Sequence, residues 1–517
     1  MSAPDSSAAE NPIRDVSVIG IDVGGTNTDA GRLRGGRIVA SAKVPTTADI
    51  ESGLLAALAH VSDGGPIQRV HIGTTALTNA LVERRHLQPA AAIRVGAPVS
   101  ESLPPMIDWP DDLRAAARNP TFFVRGGREY DGRPIRPLDR GEIERVAATL
   151  AASDVTQAAV TAVFGTSYPD DELRVAEWLH ASNPALGVSL SHRIGRFGIL
   201  ERENATLLNA MLRPLAARTV AAYRAAVPGA LFISQNDGTV MRADQAAELP
   251  VFTLASGPTN SLRGAAMLTG LADAIVFDVG GTTTDVGRLH NGYPQLAGLD
   301  LEVAGVRTNF RMPDLCSIGV GGGSLIDQTT GAVGPRSVGF RLTEEALVFG
   351  GSTLTLTDIA VAAGRIEIGE PAHVRDVSPQ LIGAVDAHLG ARFARLLESF
   401  EQSGQLLPVV LVGGGAPLVA HLFADCGREV IAPEHASVAN AYGAAIAQVG
   451  GEVDLTFSLA TISRAAALAR AEREAHQRAA EAGAQPGSIR TVEIEDAALT
   501  YLASDALRVR ARAVGDL

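Results

Sequence analysis

The pattern Asp-x-Gly-Gly-Thr-x-Thr-Asp occurs twice in this chain, at residues 22–29 and again at 278–285, about 250 residues further on. Each copy follows an apolar run, Val16-Ser-Val-Ile-Gly-Ile21 or Ala274-Ile-Val-Phe277, and precedes a second short run. Reverse turns then follow at Arg34-Gly-Gly36 and Asn291-Gly292, and Asn-Gly between two extended runs is a strong hairpin signal. Each pattern is therefore expected at the tip between two strands. A dinucleotide fingerprint or a P-loop needs strand, glycine loop and then helix, and the segments Ala30–Leu33 and Val286–His290 are too short for helices.

At such a tip, Gly24, Gly25, Gly280 and Gly281 lack the Cβ that would keep backbone N–H groups away from phosphate oxygens. Thr26, Thr28, Thr282 and Thr284 add hydroxyl donors, and Asn27 and Thr283 complete the two tips. Asp22 and Asp278 cannot bind phosphate directly, but they can hold Mg2+ through its waters. A single Gly-Gly-Thr also serves as an ordinary turn. Two copies in comparable units are what a duplicated pair of domains gripping one nucleotide would carry.

Residues 409–418, VVLVGGGAPL, read as a buried strand, three glycines and a helix start. Gly413, Gly414 and Gly415 suit a backbone passing close to a base and ribose, or a plain strand-to-helix turn. Small-residue helices are expected at Ser437–Ala447 and Glu201–Ala210, where two helices could cross closely, as at a hinge.

In this order the motifs resemble the five signatures of the actin, hexokinase and heat-shock-chaperone ATPase superfamily: phosphate loop, connecting helix, second phosphate loop, adenosine loop, second connecting helix. Within it the chain is most similar to the hydantoinase and 5-oxoprolinase A family. The similarity rests on His71-Ile-Gly-Thr-Thr-Ala-Leu-Thr-Asn-Ala-Leu-Val-Glu83, Ser256-Gly-Pro-Thr-Asn260, Gly319-Val-Gly-Gly-Gly-Ser324, Thr355-Leu-Thr-Asp358 and the 413–415 loop. It runs from about residue 16 to the C-terminus. The resemblance implies an α/β fold of two actin-like, ribonuclease-H-like lobes around a nucleotide cleft. It also implies ATP with Mg2+ and hydrolysis of a cyclic amide such as a hydantoin, 5-oxoproline or a related lactam; some relatives instead carboxylate ketones. Because the first connecting helix faces the γ-phosphate in the superfamily, Glu201 and Glu203 become candidate bases, or else plain helix carboxylates. Thr74, Thr75, Thr78 and Asn79 become candidate substrate contacts, unless the segment is simply a helix N-terminus capped by Thr74 or Thr75. The long relatives carry a second half resembling a separate B subunit, so a B-type partner subunit or a homo-oligomer is expected.

Composition fits a large cytoplasmic enzyme. A net charge of −13 argues against nucleic-acid and anionic-membrane surfaces, and two cysteines supply neither a disulfide framework nor a paired cluster site. The start of the chain lacks the basic and apolar parts of a signal peptide. The apolar stretch Leu407–Ala424 is broken by Gly413–Gly415 and Pro417, so it is not a membrane span. The expected organisation is a flexible tail over 1–14, a first lobe over 15–200 with an insertion near 104–137, and a connecting helix at 201–215. A second lobe over 216–450 and a C-terminal helix and strand extension over 451–517 complete it. In that extension, Leu507, Val509 and Ala511 alternate with Arg508, Arg510 and Arg512, as in a strand with a solvated basic face.

Where the long relatives have Asp-x-His before the Gly-rich string, this chain has Asp314-Leu-Cys316. Zn2+ or another soft metal could sit there, although such a cysteine more often serves as a small buried hydrophobe. His71 and His192 lie beside apolar strands and are assigned no role. Three rival functions fit parts of the sequence. A sugar-type kinase shares the opening motif but should show a Glu-x-Gly-His string and a cysteine-rich zinc loop. A carboxylase subunit of the same superfamily would use the same nucleotide site, and so would a nucleotide-gated clamp or scaffold.

Overall fold

A computed structural model of the protein describes residues 16–46, 50–118, 120–298, 301–401, 406–499 and 506–517; the tail expected over 1–14 lies outside the described residues. Both duplicated patterns form hairpins. In the first, β1 (Ser17–Val23) pairs antiparallel with β2 (Asn27–Arg34), which continues into β3 (Arg37–Pro45). On the other side of β1 lies β4 (Arg69–Thr74), parallel to it, followed by the parallel strand Ala230–Ser234. β1 is covered on both faces, which is why its apolar residues run almost without interruption.

The second sheet repeats this plan. Ala274–Val279 pairs antiparallel with Thr284–His290, which carries Tyr293–Pro294; Val409–Val412 and then Val430–Ile431 lie parallel on the other side. In both sheets the spatial order of these strands is third, second, first, fourth, fifth. The fold is thus α/β, with two actin-like lobes related by pseudo-symmetry.

Several expected boundaries move. Ala230–Ser234 and Val240–Arg242, expected in the second lobe, belong to the first sheet, and so do Val449–Ser458, Ala506–Gly515 and Arg490–Leu499, which enlarge it to nine strands. The C-terminal segment therefore extends the first lobe. Its helix, Arg464–Glu481, packs on that sheet through the buried stripe Ala467, Ala471, Ala475 and Ala479, at the i, i+4 spacing of one helical face. The insertion is also larger than 104–137. Four parallel strands, Thr121–Arg125, Ala90–Ala97, Gln157–Ala162 and Gly187–Leu190, form a separate sheet with its own core around Ile93, Val160 and Leu179.

The tail arginines are not solvated. Ala506–Gly515 lies between two neighbouring strands, and its polar face is covered. Arg510 pairs with Glu452 at 3.2 Å, Arg508 pairs with Asp454, and Arg512 lies over the Tyr293 ring. Glu452, surrounded by Arg196, Arg510 and Arg311, has its carboxyl held down to about 2 by those charges against the opposing effect of burial. Alternation predicts a strand and its apolar face, but not whether the other face meets water or protein.

Two small-residue helices cross between the lobes. They are Ser256–Thr269 and Ala439–Ala445, not the expected pair that included residues 201–210. A Cβ on Gly443 would overlap the carbonyl oxygen of Asn260, and one on Gly264 would overlap that of Ala439. Gly20 of β1 admits the same short helix from its other side, against Ala441 and Ala445. The long helix Ile199–Ala226 instead packs within the first lobe, against the inserted sheet and the core around Leu207, Leu208 and Met211.

Candidate functional site

The two hairpin tips face each other. A Cβ on Gly281 would stand 3.7 Å from the Thr26 methyl group, and both tips line one cavity of about 420 Å³ together with Gly413, Gly414 and Asn440. Each tip is closed by the same bond: Gly24 N–H donates to Asn27 O at 3.0 Å, and Gly280 N–H to Thr283 O at 2.9 Å. Gly25, Asn27, Thr282 and Thr283 line the cavity as well. Thr28 and Thr284 do not. Thr28 meets Thr46 at 3.3 Å, and Thr284 donates to Val320 O at 2.7 Å, so these two threonines anchor the hairpins.

Other glycine-rich strings brace this arrangement. Gly322 and Gly323 donate N–H groups to the carbonyls of Gly280 and Gly281 at 3.1 and 2.7 Å, and Gly415 donates to Val279 O at 2.7 Å. Gly415 is therefore a support beneath the cavity, while Gly413 and Gly414 form its wall. Thr355 and Asp358 make a capping box on the helix Leu356–Ala362, and Thr357 reaches Gly322 O at 2.9 Å. The strings Gly319–Ser324 and Thr355–Asp358 thus hold the second tip from behind.

At the base of the cleft the hairpin register sets Asp22 opposite Asp29 and Asp278 opposite Asp285. Asn440 donates to Asp22 and Asp29 at 3.0 and 2.9 Å, Asn260 donates to Asp22 at 3.5 Å, and Ser261 donates to Asp278 at 2.5 Å. Both crossing helices therefore place polar side chains on the carboxylates. A glycine makes room in each lobe: a Cβ on Gly73 would collide with Asp22 and Asn260, and one on Gly413 would collide with Asp278. Burial pushes Asp22 up to about 7, helped by the negative charges of Asp29 and Asp278. Burial likewise raises Asp278, and Asp285 rises to about 6 through burial and its neighbour Asp278.

A pH effect follows. In the unfolded chain these aspartates lose their protons near pH 4, whereas folded Asp22 keeps its proton to about pH 7. The folded state thus binds more protons across that window, and stability is lost as pH rises through it, by up to about 1.4 kcal/mol per pH unit for each such group. In chelator-treated protein, urea midpoints from pH 5 to 8 should fall more for wild type than for Asp22→Asn. Parallel profiles would remove the coupling.

Among the sequence-derived candidates, Thr75 and Asn79 line the cavity, but Thr74 and Thr78 do not. Thr74 Oγ1 accepts from Tyr223 at 2.9 Å and from Ala76 N–H at 3.2 Å, while Thr78 donates to Leu254 O. Thr75 makes no side-chain cap on the helix Ala76–Val82. Glu201 and Glu203 lie outside the cavity. Glu203 is buried in an ion pair with Arg94, with Nε–Oε1 at 2.9 Å, and Glu201 pairs with Arg307 at 3.0 Å. The helix Ser256–Thr269 reaches the cavity instead, through Gly257, Pro258 and Ser261. The Ser-Gly-Pro-Thr-Asn string that opens this helix was the available signal.

Asp314 and Cys316 belong to the second lobe's edge, where Cys316 pairs in register with Val286 and packs against the core. Burial raises the Cys316 thiol, which disfavours the thiolate a soft metal needs. Among the described residues no group of three or more His, Cys, Asp or Glu side chains is arranged to hold a metal directly. His71 is buried with Nδ1 2.8 Å from Ala444 O, and burial pushes it down to about 4. Among the described residues no helix is long and apolar enough to cross a membrane.

Sequence reasoning missed four features of the cleft. Asn440 and Ser261 bind its carboxylates, Phe340 stands 68% exposed at its edge, and Lys43 reaches in from β3. Lys43 Nζ lies 2.6 Å from Asp29 Oδ1 and 3.1 Å from Ser437 O. A count would have found it, because Lys43 is the only lysine in the sequence.

Comparison with known proteins matches this architecture. Residues 18–182 fit the family model for the hydantoinase/oxoprolinase N-terminal region, and residues 202–370 fit the hydantoinase/oxoprolinase model. The caprolactamase subunit alpha of Pseudomonas jessenii is 27% identical over 68% of this chain and 55% of its own length. The acetophenone carboxylase gamma subunit of Aromatoleum aromaticum is 28% identical over 68% of this chain and 53% of its own. The chain thus spans about half the length of these curated relatives. The crystal structure of the ATP-dependent caprolactamase from Pseudomonas jessenii superposes with a TM-score of 0.76 at 19% identity, covering 97% of this chain and 88% of the other.

Proposed function

Because the chain belongs to the hydantoinase/oxoprolinase family, we propose that it is an ATP-dependent enzyme that opens a cyclic amide by phosphorylating the carbonyl oxygen. The observation that carries this reading is the pair of opposed hairpin tips above buried aspartates in one cleft. Backbone N–H groups of Gly25, Thr26, Gly281 and Thr282, with the wall of Gly413 and Gly414, would hold the nucleotide. Thr75 and Asn79 would orient the amide beside it.

Mg2+ fits the donors present. Asp22 and Asp278 offer hard oxygens, and burial beside like charges raises both carboxyls, Asp22 to about 7, a penalty on the charged form that a divalent cation would relieve. Mg2+ commonly keeps several waters and uses one or two carboxylates, so these two aspartates could hold it from the two lobes. Mg-ATP would supply the phosphoryl group and neutralise charge, turning a poor leaving oxygen into a good one. The chain's own contribution is positioning: the hairpins fix the donor, and the crossing helices hold Asn440 and Ser261 on the carboxylates.

Caprolactamase and acetophenone carboxylase relatives are named as alpha and gamma subunits, which supports a reading in which this chain works with a B-type partner. The carboxylase relative also favours a second reading, in which an enolate oxygen is activated for carboxylation. Incubation with ATP and a lactam labelled with 18O in its carbonyl separates the possibilities. Label should appear in inorganic phosphate as the ring opens. Ring opening with unlabelled phosphate would mean that ATP only drives lobe closure. ATP consumption that requires a ketone and bicarbonate would favour the carboxylase.

A further inference from the structure

Lys43 is the only lysine among 517 residues, against a total of 44 Lys and Arg. Among the described residues lining the cleft it is also the only Lys or Arg, facing Asp22, Asp29, Asp278 and Asp285. Arginine serves every other permanently cationic side-chain position in this chain, so a lysine at this one has a chemical reason. An ammonium is a compact charge with three donors on a flexible stem, whereas a guanidinium is a planar fork suited to carboxylates.

The geometry uses two of those donors. One goes to Asp29 Oδ1 at 2.6 Å and one to Ser437 O at 3.1 Å, and the side chain remains about one-third exposed to the cavity. The stem crosses from the first lobe to the wall of the second, where its Cε lies 3.7 Å from the place a Cβ on Gly414 would take. A third N–H is available for a ligand in the cleft.

Building on the nucleotide reading above, we propose that Lys43 binds the phosphate chain of the nucleotide. Its ammonium turns from Asp29 toward a phosphate oxygen while keeping its hold on the Ser437 carbonyl, so that occupancy of the cleft is registered at the start of the helix Ala439–Ala445. An ammonium free to shift between a carboxylate and a phosphate suits this role. A guanidinium locked bidentate on Asp29 would not.

Equilibrium binding of ATP, AMP and adenosine to the full chain with Mg2+, at constant ionic strength, tests the proposal. Lys43→Gln should bind ATP at least about ten-fold more weakly than wild type, AMP less affected, and adenosine unchanged; Lys43→Arg should restore ATP binding only in part. Acetylation by an amine-selective ester provides a second readout, since Lys43 offers the only side-chain amine. Mg-ATP should protect it and adenosine should not. Equal ATP affinity in Lys43→Gln, or an equal loss for adenosine and ATP, would overturn the phosphate contact while leaving the nucleotide site intact. Absence of ATP binding to wild type would instead overturn the nucleotide reading, and this assignment with it.

Discussion

Asp22→Asn and Asp278→Asn should each lower Mg2+-dependent ATP turnover by roughly 100-fold or more, if each carboxylate supplies about 3 kcal/mol to the transition state. The substitution keeps size and removes charge. At position 22 it can still accept from Asn440, which lies 3.0 Å from Asp22 Oδ2, so the cleft should keep its shape. The two positions are equivalent in the repeated topology: each is the last residue but one of the first strand of its sheet, and each is accommodated by a glycine at the end of the fourth, Gly73 within that strand or Gly413 just beyond it. The defects should therefore be similar in size. Turnover unchanged in both variants would reduce the aspartates to supports of the loop.

Gly443→Val should cost about 3 kcal/mol or more of stability, toward the upper end of what overpacking produces. The position has no spare volume, because even a Cβ would overlap the Asn260 carbonyl where the two helices cross. The neighbouring atoms are backbone, which cannot rotate aside as a flexible side chain could. Gly383→Ala is the matched control: it lies within the helix Pro379–Ser399, nothing stands within 4 Å of its added Cβ, and helix propensity alone should gain up to about 1 kcal/mol. Urea midpoints measure both. A Gly443 variant as stable as wild type would show that the lobes can separate at the crossing without loss.

The hairpins were legible in the sequence because turn chemistry is local. Asn291-Gly292 and Arg34-Gly-Gly36 demand tight reversals, and the apolar runs beside them can only be strands. The duplicated pattern likewise carried the pairing of the lobes, since two equivalent hairpins around one ligand must face each other. The strand and helix around Gly413–Gly415 followed from apolar continuity and Pro417.

What remained illegible depended on strand order and on what covers each face. Glu201–Ala210 and Ser256-Gly-Pro-Thr-Asn both lie near the starts of helices that carry small residues. Only the sheet topology decides that the second one spans the cleft while the first packs under the inserted sheet. Glu203 is a candidate base only through the resemblance, which places the first connecting helix at the γ-phosphate; Arg94, on a strand more than a hundred residues away in sequence, instead makes its burial in the core tolerable. Arg510 and Arg512 alternate as a solvated face would, yet Glu452 and Glu493 of the neighbouring strands and the Tyr293 ring cover them. Hydrophobic periodicity and turn residues report how a segment prefers to fold against water, and those preferences determined the hairpins and the α/β class. Which side chains meet in the cleft, Asn440 with Asp22 and Lys43 with Asp29 among them, was decided only by packing between distant segments, because a close contact costs or gains energy only once both partners are in place.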